Sequence, residues 1–384
     1  MQGGLGDFSR CLTQALADEG CAVTVLAPAE AVPRDPTWPF EVRAEARGWG
    51  LRDLDRIRRL ASEYDVLNLQ YQAAAYGMRL PVHLLPLFSR GTPLVTTFHD
   101  LRVPYLFPKA GPLRQWSVRG LLRGSCAAIL TNEEDLARAR IMAPRGNLHL
   151  VRIGSNVSPV SVTPERRRQF REALGVPQEA TLACYFAFLN VTKGGLDLVR
   201  AVARAREMGD DVRLLFIGGD VGASDPTNAA YAREVFQEVD RLGLQRWVSR
   251  TGFLEPEGVS VAFAASDLCV LPFRDGASYR RGSLMAALAH GVPTITTQPA
   301  VPVAGLSEGE NVRLVAPGDV EGLAEALLEL SRNPEERRRL GEAARRLSRQ
   351  FQWPDIARRT IEVYESVQLI SPQRAQRPRR KDKG

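Results

Sequence analysis

The chain has 384 residues, 44% hydrophobic and 25% charged, the make-up of a folded globular protein long enough for two ordinary domains. Its net charge is +7 and its sequence pI about 9.4, but no nucleic-acid recognition motif accompanies that excess, so the charge points away from nucleic acid as a partner. No apolar run approaches the ~20 residues that cross a bilayer, and the opening residues carry no secretory pattern, which leads to the expectation of a cytoplasmic protein.

In chain order, Met1-Gln2-Gly3-Gly4-Leu5-Gly6-Asp7 reads as a glycine-rich loop before an amphipathic helix with Phe8, Leu12, Ala15 and Leu16 on one face. Such a loop ordinarily follows a buried strand, and the expectation is that this first strand is missing. Strands are predicted at 21–26, 40–44, 65–71, 94–98, 126–130 and 148–153, with helices at 53–64, 81–90, 115–122 and 133–140 between them. Gln70 and Tyr71 close one strand and are candidates for an acceptor pocket; His99-Asp100 closes the next. Residues 156–179 change in texture, with proline and serine followed by a charged helix at 165–174, and read as the linker.

A second alternating set follows. Strands are predicted at 182–188, 212–217, 248–251, 268–271, 294–297 and 312–315, and helices at 196–208, 229–242, 260–265, 283–290 and 320–332. Helices at 335–349 and 355–367 end the fold, and a basic tail, 371–384, reads as disordered. Strands alternating with helices imply parallel sheets with right-handed crossovers. The fold class is therefore α/β, two Rossmann-like doubly wound domains with strand C-termini facing a cleft. Cys11, Cys21, Cys126, Cys184 and Cys269 are odd in number and form no Cys-x-x-Cys pair, which argues for a reducing compartment and against zinc or a disulfide framework.

The stretch 271–297 carries the most chemistry. It reads as strand, polar loop 275–282, a helix of small apolar residues, the stop Gly291-Val292-Pro293, and strand. A loop at a strand's C-terminal end leading into a helix N-terminus is where open α/β sheets bind ligands. Free N–H groups there favour anions, and Arg280 and Arg281 stand beside them, so the expectation is a phosphate or diphosphate site; the alternative is a solvated surface loop.

Taken together, several motifs resemble the GT-B glycosyltransferases of the retaining group often called family 4, the glycosyl transferases group 1. They are Gly3-Gly4-Leu5-Gly6-Asp7, Thr97-Phe98-His99-Asp100, Ile153-Gly154-Ser155-Asn156, Lys193-Gly194, Phe216-Ile217-Gly218-Gly219, Thr251-Gly252-Phe253, Ala287-Leu288-Ala289-His290-Gly291-Val292-Pro293, and 305–311 followed by Pro317-Gly318-Asp319. The resemblance covers nearly the whole chain. It implies an acceptor-side domain at 1–156, a nucleotide-sugar domain at 157–353, and a helix at 354–370 crossing back to the first domain. It also implies a nucleotide-diphosphate sugar as donor. Gly3, Gly4 and Gly6 would approach the phosphates or sugar, His99 and Asp100 would serve the reaction, and Lys193 would neutralise the diphosphate. Gly219, Asp275, Ser278, Arg280, Arg281, Gly282 and Ser283 complete the implied donor site, with Gln70 and Tyr71 on the acceptor side. The acceptor would be a glycan, lipid or small molecule of cell-envelope polysaccharide synthesis, reached at the inner face of the membrane. No cofactor or metal is implied. Asp53-Leu54-Asp55 is the only Asp-x-Asp triplet before the linker, and it falls in a predicted helix of solvent-facing kind.

The sequence departs from the family at two positions where relatives carry glutamates, here Ser278 and Ala286. Asp275 is expected to take over from the first acid, and Arg280 and Arg281 to take over phosphate binding. The alternatives to a transferase are a degenerate binding or scaffold protein of the same fold and a nucleotide-sugar epimerase, the second of which needs acids that the sequence does not supply.

Overall fold

The computed structural model describes residues 4–28, 37–77, 79–89, 91–101, 111–219 and 226–369. Gly3 and the basic tail fall outside them. The chain divides into two compact units, one built from residues 5–152 with the segment beginning at Trp353, the other from Ile153–Gln352.

The first unit opens with α1 (Gly4–Asp18), so Gly4 and Gly6 lie in a helical first turn and not in a loop. Phe8, Leu12, Ala15 and Leu16 are buried, the face that the helical period selects. Strands β1 (Thr24–Pro28) and β2 (Glu41–Ala46) pair in parallel as a sheet of their own. After α2 (Leu51–Ala61), β3 (Leu67–Tyr71) starts a second parallel sheet. The segment expected as a helix at 81–90 is a 3-10 turn, Pro81–Leu84, followed by the short α3 (Leu85–Phe88). A proline stands in the first turn of each piece, and the missing N–H of Pro86 divides one helix into two. The sheet continues through β4 (Leu94–Phe98), β5 (Ala127–Leu130) and β6 (Leu148–Leu150), separated by α4 (Gly111–Gly124) and α5 (Glu133–Met142), in the order β3-β4-β5-β6. Every residue of β4 and β5 is buried, as expected of strands covered on both faces. The doubly wound sheet expected of this half is thus interrupted between β1 and β3.

Helix α2 corrects a second expectation. Leu54 is 1% exposed, and Asp53 accepts from the backbone N–H groups of Arg47 and Gly50 as part of a helix cap.

In the second unit Thr163 caps α6 (Pro164–Ala173). Strands β7 (Thr181–Tyr185), β8 (Val212–Phe216) and β9 (Val248–Arg250) alternate with α7 (Gly195–Glu207), α8 (Pro226–Arg241) and α9 (Pro256–Ala265). Then follow β10 (Leu268–Leu271), α10 (Gly282–His290), β11 (Thr294–Thr297), β12 (Arg313–Val315), α11 (Val320–Arg332) and α12 (Pro334–Ser348). All six strands are parallel, in the order β12-β11-β10-β7-β8-β9. The order reverses between β7 and β10, where loops leave neighbouring strands in opposite directions and open a crevice. Cys184 and Cys269 face each other across that strand pair as buried free thiols. The last helix, α13 (Trp353–Leu369), returns to the first unit and buries Ile356, Ala357, Thr360, Val363 and Val367.

Arg171 anchors α6. It is 6% exposed, pairs with Asp267 at 3.0 Å, and donates to the carbonyls of Pro177, Ala180 and Ala265. Removing a buried cation strands those acceptors, so Arg171→Met should cost about 3 kcal/mol in denaturant unfolding; a change near zero would show that the anchor contributes nothing.

Candidate functional site

The loops after β7 and β10 flank the crevice of the second unit. The first ends in a 3-10 turn, Val191–Lys193, and Gly194 at φ +70°. A Cβ on Gly194 would run into the carbonyl oxygen of Pro272, so the two loops meet backbone to backbone. Arg274 N–H donates to Thr192 O at 2.9 Å, and the Arg274 guanidinium forks onto Asp197 in the first turn of α7 at 2.7 and 2.8 Å. Lys193 and the Arg280–Arg281 pair, distant in sequence, are thereby fixed on one scaffold.

Their side chains converge. Lys193 Nζ lies 5.0 Å from the centre of the Phe273 ring, and the Arg281 guanidinium 4.9 Å from the same ring. Asp275 holds both arginines, accepting from Arg280 at 3.1 Å and from Arg281. The Arg280 side chain is 7% exposed and that of Arg281 12%, which removes the reading of solvated surface arginines. Burial, then the nearby Arg281 charge, holds the Lys193 ammonium well below its usual range. The helix α10 starts here with no side-chain cap. Ser283 Oγ, in its first turn, is buried with no hydrogen-bond partner among the described residues. A Cβ on Gly282 or Gly219 would meet nothing, so backbone is open at both. Ser278 is buried, and its carbonyl accepts from Arg281 N–H at 3.0 Å. Ala286 is 1% exposed, inside the core. His290 is a buried ring whose Nδ1 donates to Ala286 O and whose Nε2 lies 3.0 Å from Ser260 Oγ, with burial depressing its pKa.

In the first unit His99 follows β4, its backbone N–H donating to Tyr71 O at 3.0 Å. Its Nε2 lies 2.9 Å from Gln70 Oε1, and Phe8 meets the ring edge-on at 4.5 Å. Burial pushes the imidazole down to about 3, so it is neutral at ordinary pH. Asp100 is next in the chain and partly buried. Tyr71, expected on the acceptor side, is instead 2% exposed, stacked among Tyr76 and Phe98, with its hydroxyl against His83 Nε2 at 2.8 Å. Gln70, also expected there, turns its side chain to His99 and Asn68. Sequence reading missed Phe273, Arg274 and Asn68. An aromatic-basic pair directly after an apolar strand was the available signal for the first two; Asn68 gave none.

The arrangement of the second unit suits a diphosphate, with cations, open backbone and an unpartnered hydroxyl gathered at one helix start. The model of the glycosyl transferases group 1 matches residues 180–333, and that of the glycosyl transferase 4-like domain matches residues 3–154. The phosphatidyl-myo-inositol mannosyltransferase of Mycobacterium leprae is 27% identical over 320 residues, 81% of this chain and 76% of that one. The D-inositol 3-phosphate glycosyltransferase of Corynebacterium efficiens is 26% identical, covering 82% and 74%. Among solved structures, Anabaena HepE in complex with UDP and glucose superposes with TM-score 0.77 at 20% identity, over 95% of this chain and 97% of that one. Sucrose-phosphate synthase from Thermosynechococcus elongatus gives 0.71 at 22%, over 96% and 94%. These two likenesses are of fold, and the fold is GT-B.

The low pKa of His99 has a consequence for stability. The unfolded chain takes up this proton near pH 6.5, the folded chain only near 3, so acid favours unfolding. The contribution is complete above about 6.5 and is lost as pH falls toward 3. Between pH 6.5 and 4.5 the protein should lose stability faster than a His99→Asn variant, by at most about 1.4 kcal/mol per pH unit. Parallel slopes in denaturant titrations would refute the assignment.

Proposed function

We infer that this chain, which belongs to the glycosyl transferases group 1, takes its sugar from a nucleotide diphosphate held in the second unit by Lys193, Arg280, Arg281 and the start of α10. The observation that carries this reading is the convergence of two buried arginines, a lysine of depressed pKa and an unpartnered Ser283 hydroxyl at an uncapped helix. Two buried arginines against the single carboxylate of Asp275 leave positive charge suited to a diphosphate, Lys193 adds to it when protonated, and HepE, of the same fold, is known with UDP-glucose.

The chemistry follows from charge. As the glycosidic bond to phosphate breaks, the diphosphate gains negative charge and the sugar gains oxocarbenium character. Cations already fixed on the phosphates stabilise that separation without reorganising. In this reading the protein's own cations supply that stabilisation, with no metal ion or cofactor. The departing phosphate oxygen takes the proton of the acceptor hydroxyl on the face it leaves, which gives retention and asks for no carboxylate pair. His99, neutral and at a strand end, meets the transferred sugar, with Asp100 beside it. The acceptor is a hydroxyl of a glycan or lipid-linked molecule of the cell envelope, reached from the cytoplasm at the membrane face. The mannosyltransferase named above, whose own title carries a phosphatidyl lipid, supports that choice, as does the +7 charge.

A bound diphosphate favours the charged form of Lys193 and should raise its depressed pKa, so nucleotide binding takes up protons over the pH range where that ammonium titrates. Calorimetry of UDP, GDP and ADP in buffers of different ionisation enthalpy measures this directly. Lys193→Ala should abolish the uptake and, like Arg281→Ala, weaken binding roughly 10- to 100-fold without unfolding the protein. Absence of heat with all three nucleotides, or binding that releases protons, would overturn the site.

A further inference from the structure

In the first unit a chain of hydrogen bonds runs from His99 to the last helix. Gln70 Nε2 donates to Asn68 Oδ1 at 3.0 Å, and Asn68 Nδ2 donates to Tyr364 Oη at 2.6 Å. Thr97 Oγ1 donates to the same Asn68 oxygen at 3.3 Å. Asn68 and Gln70 are alternate residues of β3 and share one face; the β3–β4 register sets Gln70 opposite Thr97. Burial raises the Tyr364 hydroxyl's pKa, so it remains protonated.

The Thr97 and Tyr364 hydroxyls can each donate or accept, so the orientation of the Asn68 amide gives the chain its direction, an amide oxygen only accepting and an amide nitrogen only donating. The Asn68 oxygen takes Thr97 and Gln70, and its nitrogen is turned to Tyr364. Gln70 therefore gives its nitrogen to Asn68 and shows its oxygen to His99, 2.9 Å away. That oxygen can only accept, so Nε2 carries the proton. A neutral ring has one proton, and Nδ1 is left as a bare lone pair. Among the described residues no hydrogen bond reaches Nδ1. A second path sets the ring's tilt: Trp353, the first residue of α13, packs on Phe8 at 5.3 Å, and Phe8 packs on His99 at 4.5 Å. Both paths end on the same helix.

We propose that Asn68, Gln70 and Tyr364 are positioning residues that hold His99 in its Nε2–H tautomer and present Nδ1 as a hydrogen-bond acceptor to a hydroxyl of the bound sugar. The last clause rests on His99 meeting the sugar; the tautomer does not. The opposite tautomer would offer that hydroxyl a donor, and the sugar's own proton would lose its partner.

The chain holds four histidines, so long-range proton–nitrogen correlation spectra can resolve each imidazole in the intact protein. The wild type should show His99 as one tautomer, protonated at Nε2. Tyr364→Phe removes the acceptor that orients Asn68, and Asn68→Leu removes the link; each should give both tautomers. Asn68→Asp should keep the single tautomer, since a carboxylate accepts from Thr97, Gln70 and Tyr364 alike and leaves Gln70's polarity unchanged. With a nucleotide-sugar that supports transfer, Tyr364→Phe should lower kcat/KM about tenfold, the worth of one hydrogen bond, while UDP affinity by calorimetry stays unchanged and Asn68→Asp retains activity. An Nδ1–H or mixed wild-type ring overturns the proposal, as does a tautomer indifferent to both Tyr364→Phe and Asn68→Leu. A fall in melting temperature and UDP affinity with the tautomer intact would assign these residues to structure alone. A fixed tautomer in a protein that transfers no sugar would leave the positioning intact and refute the sugar contact.

Discussion

The chemistry of the second unit depends on the contact between Gly194 and the carbonyl of Pro272. The loops after β7 and β10 leave the sheet where its strand order reverses, and they would diverge if nothing joined them. A residue with a side chain at 194 would push them apart, and its φ of +70° would be strained as well. With glycine there, Thr192 accepts from Arg274, Arg274 grips Asp197, and Phe273 lies within reach of both Lys193 and Arg281. Cations that repel one another are thus held as a group by backbone contact and one aromatic ring. The depressed pKa of Lys193 registers its burial first and the neighbouring Arg281 charge second.

The first unit solves a different problem. Its strand ends present polar side chains to one another, and neutrality is what lets them pack. Burial lowers the pKa of both His99 and His83, and each has hydrogen-bond partners: Gln70 for the first, Tyr71 and the Leu80 carbonyl for the second. The return of α13 to this unit brings Tyr364 and Trp353 into the same neighbourhood, so the last described helix of the chain helps define the geometry of a residue near its first third.

Much of the fold was legible because parallel, doubly covered strands are short apolar runs. β10 and β11, with the Gly291-Val292-Pro293 stop between them, were placed from hydrophobicity and turn residues alone. Helix α11 was equally clear from its period and its Asp319 cap. The segment from Pro81 was misjudged because Pro86 divides a pattern that otherwise reads as one helix, and Asp53 because a cap depends on where the preceding backbone turns. At the site, Arg280 and Arg281 could be named from charge beside a helix start, and Lys193 from the family resemblance. The bond between Arg274 and Asp197 joins two elements across the sheet, and no local pattern encodes it. Tyr71 was misplaced for a related reason: a strand's final residue points inward or outward according to register, which alternation fixes only when the whole strand alternates.

Asp275 has a role that outlasts any single substrate. Its carboxylate already pairs with Arg280 and Arg281, so under the proposed function an arriving phosphate would compete with a resident anion for the same donors. Part of the electrostatic attraction would thereby be cancelled in advance, and tight retention of the spent nucleotide with it. As the leaving nucleotide departed, the arginines would return to the carboxylate instead of facing water or one another unshielded. A built-in substitute anion of this kind favours turnover over grip, keeping the cationic loop in one shape between successive rounds.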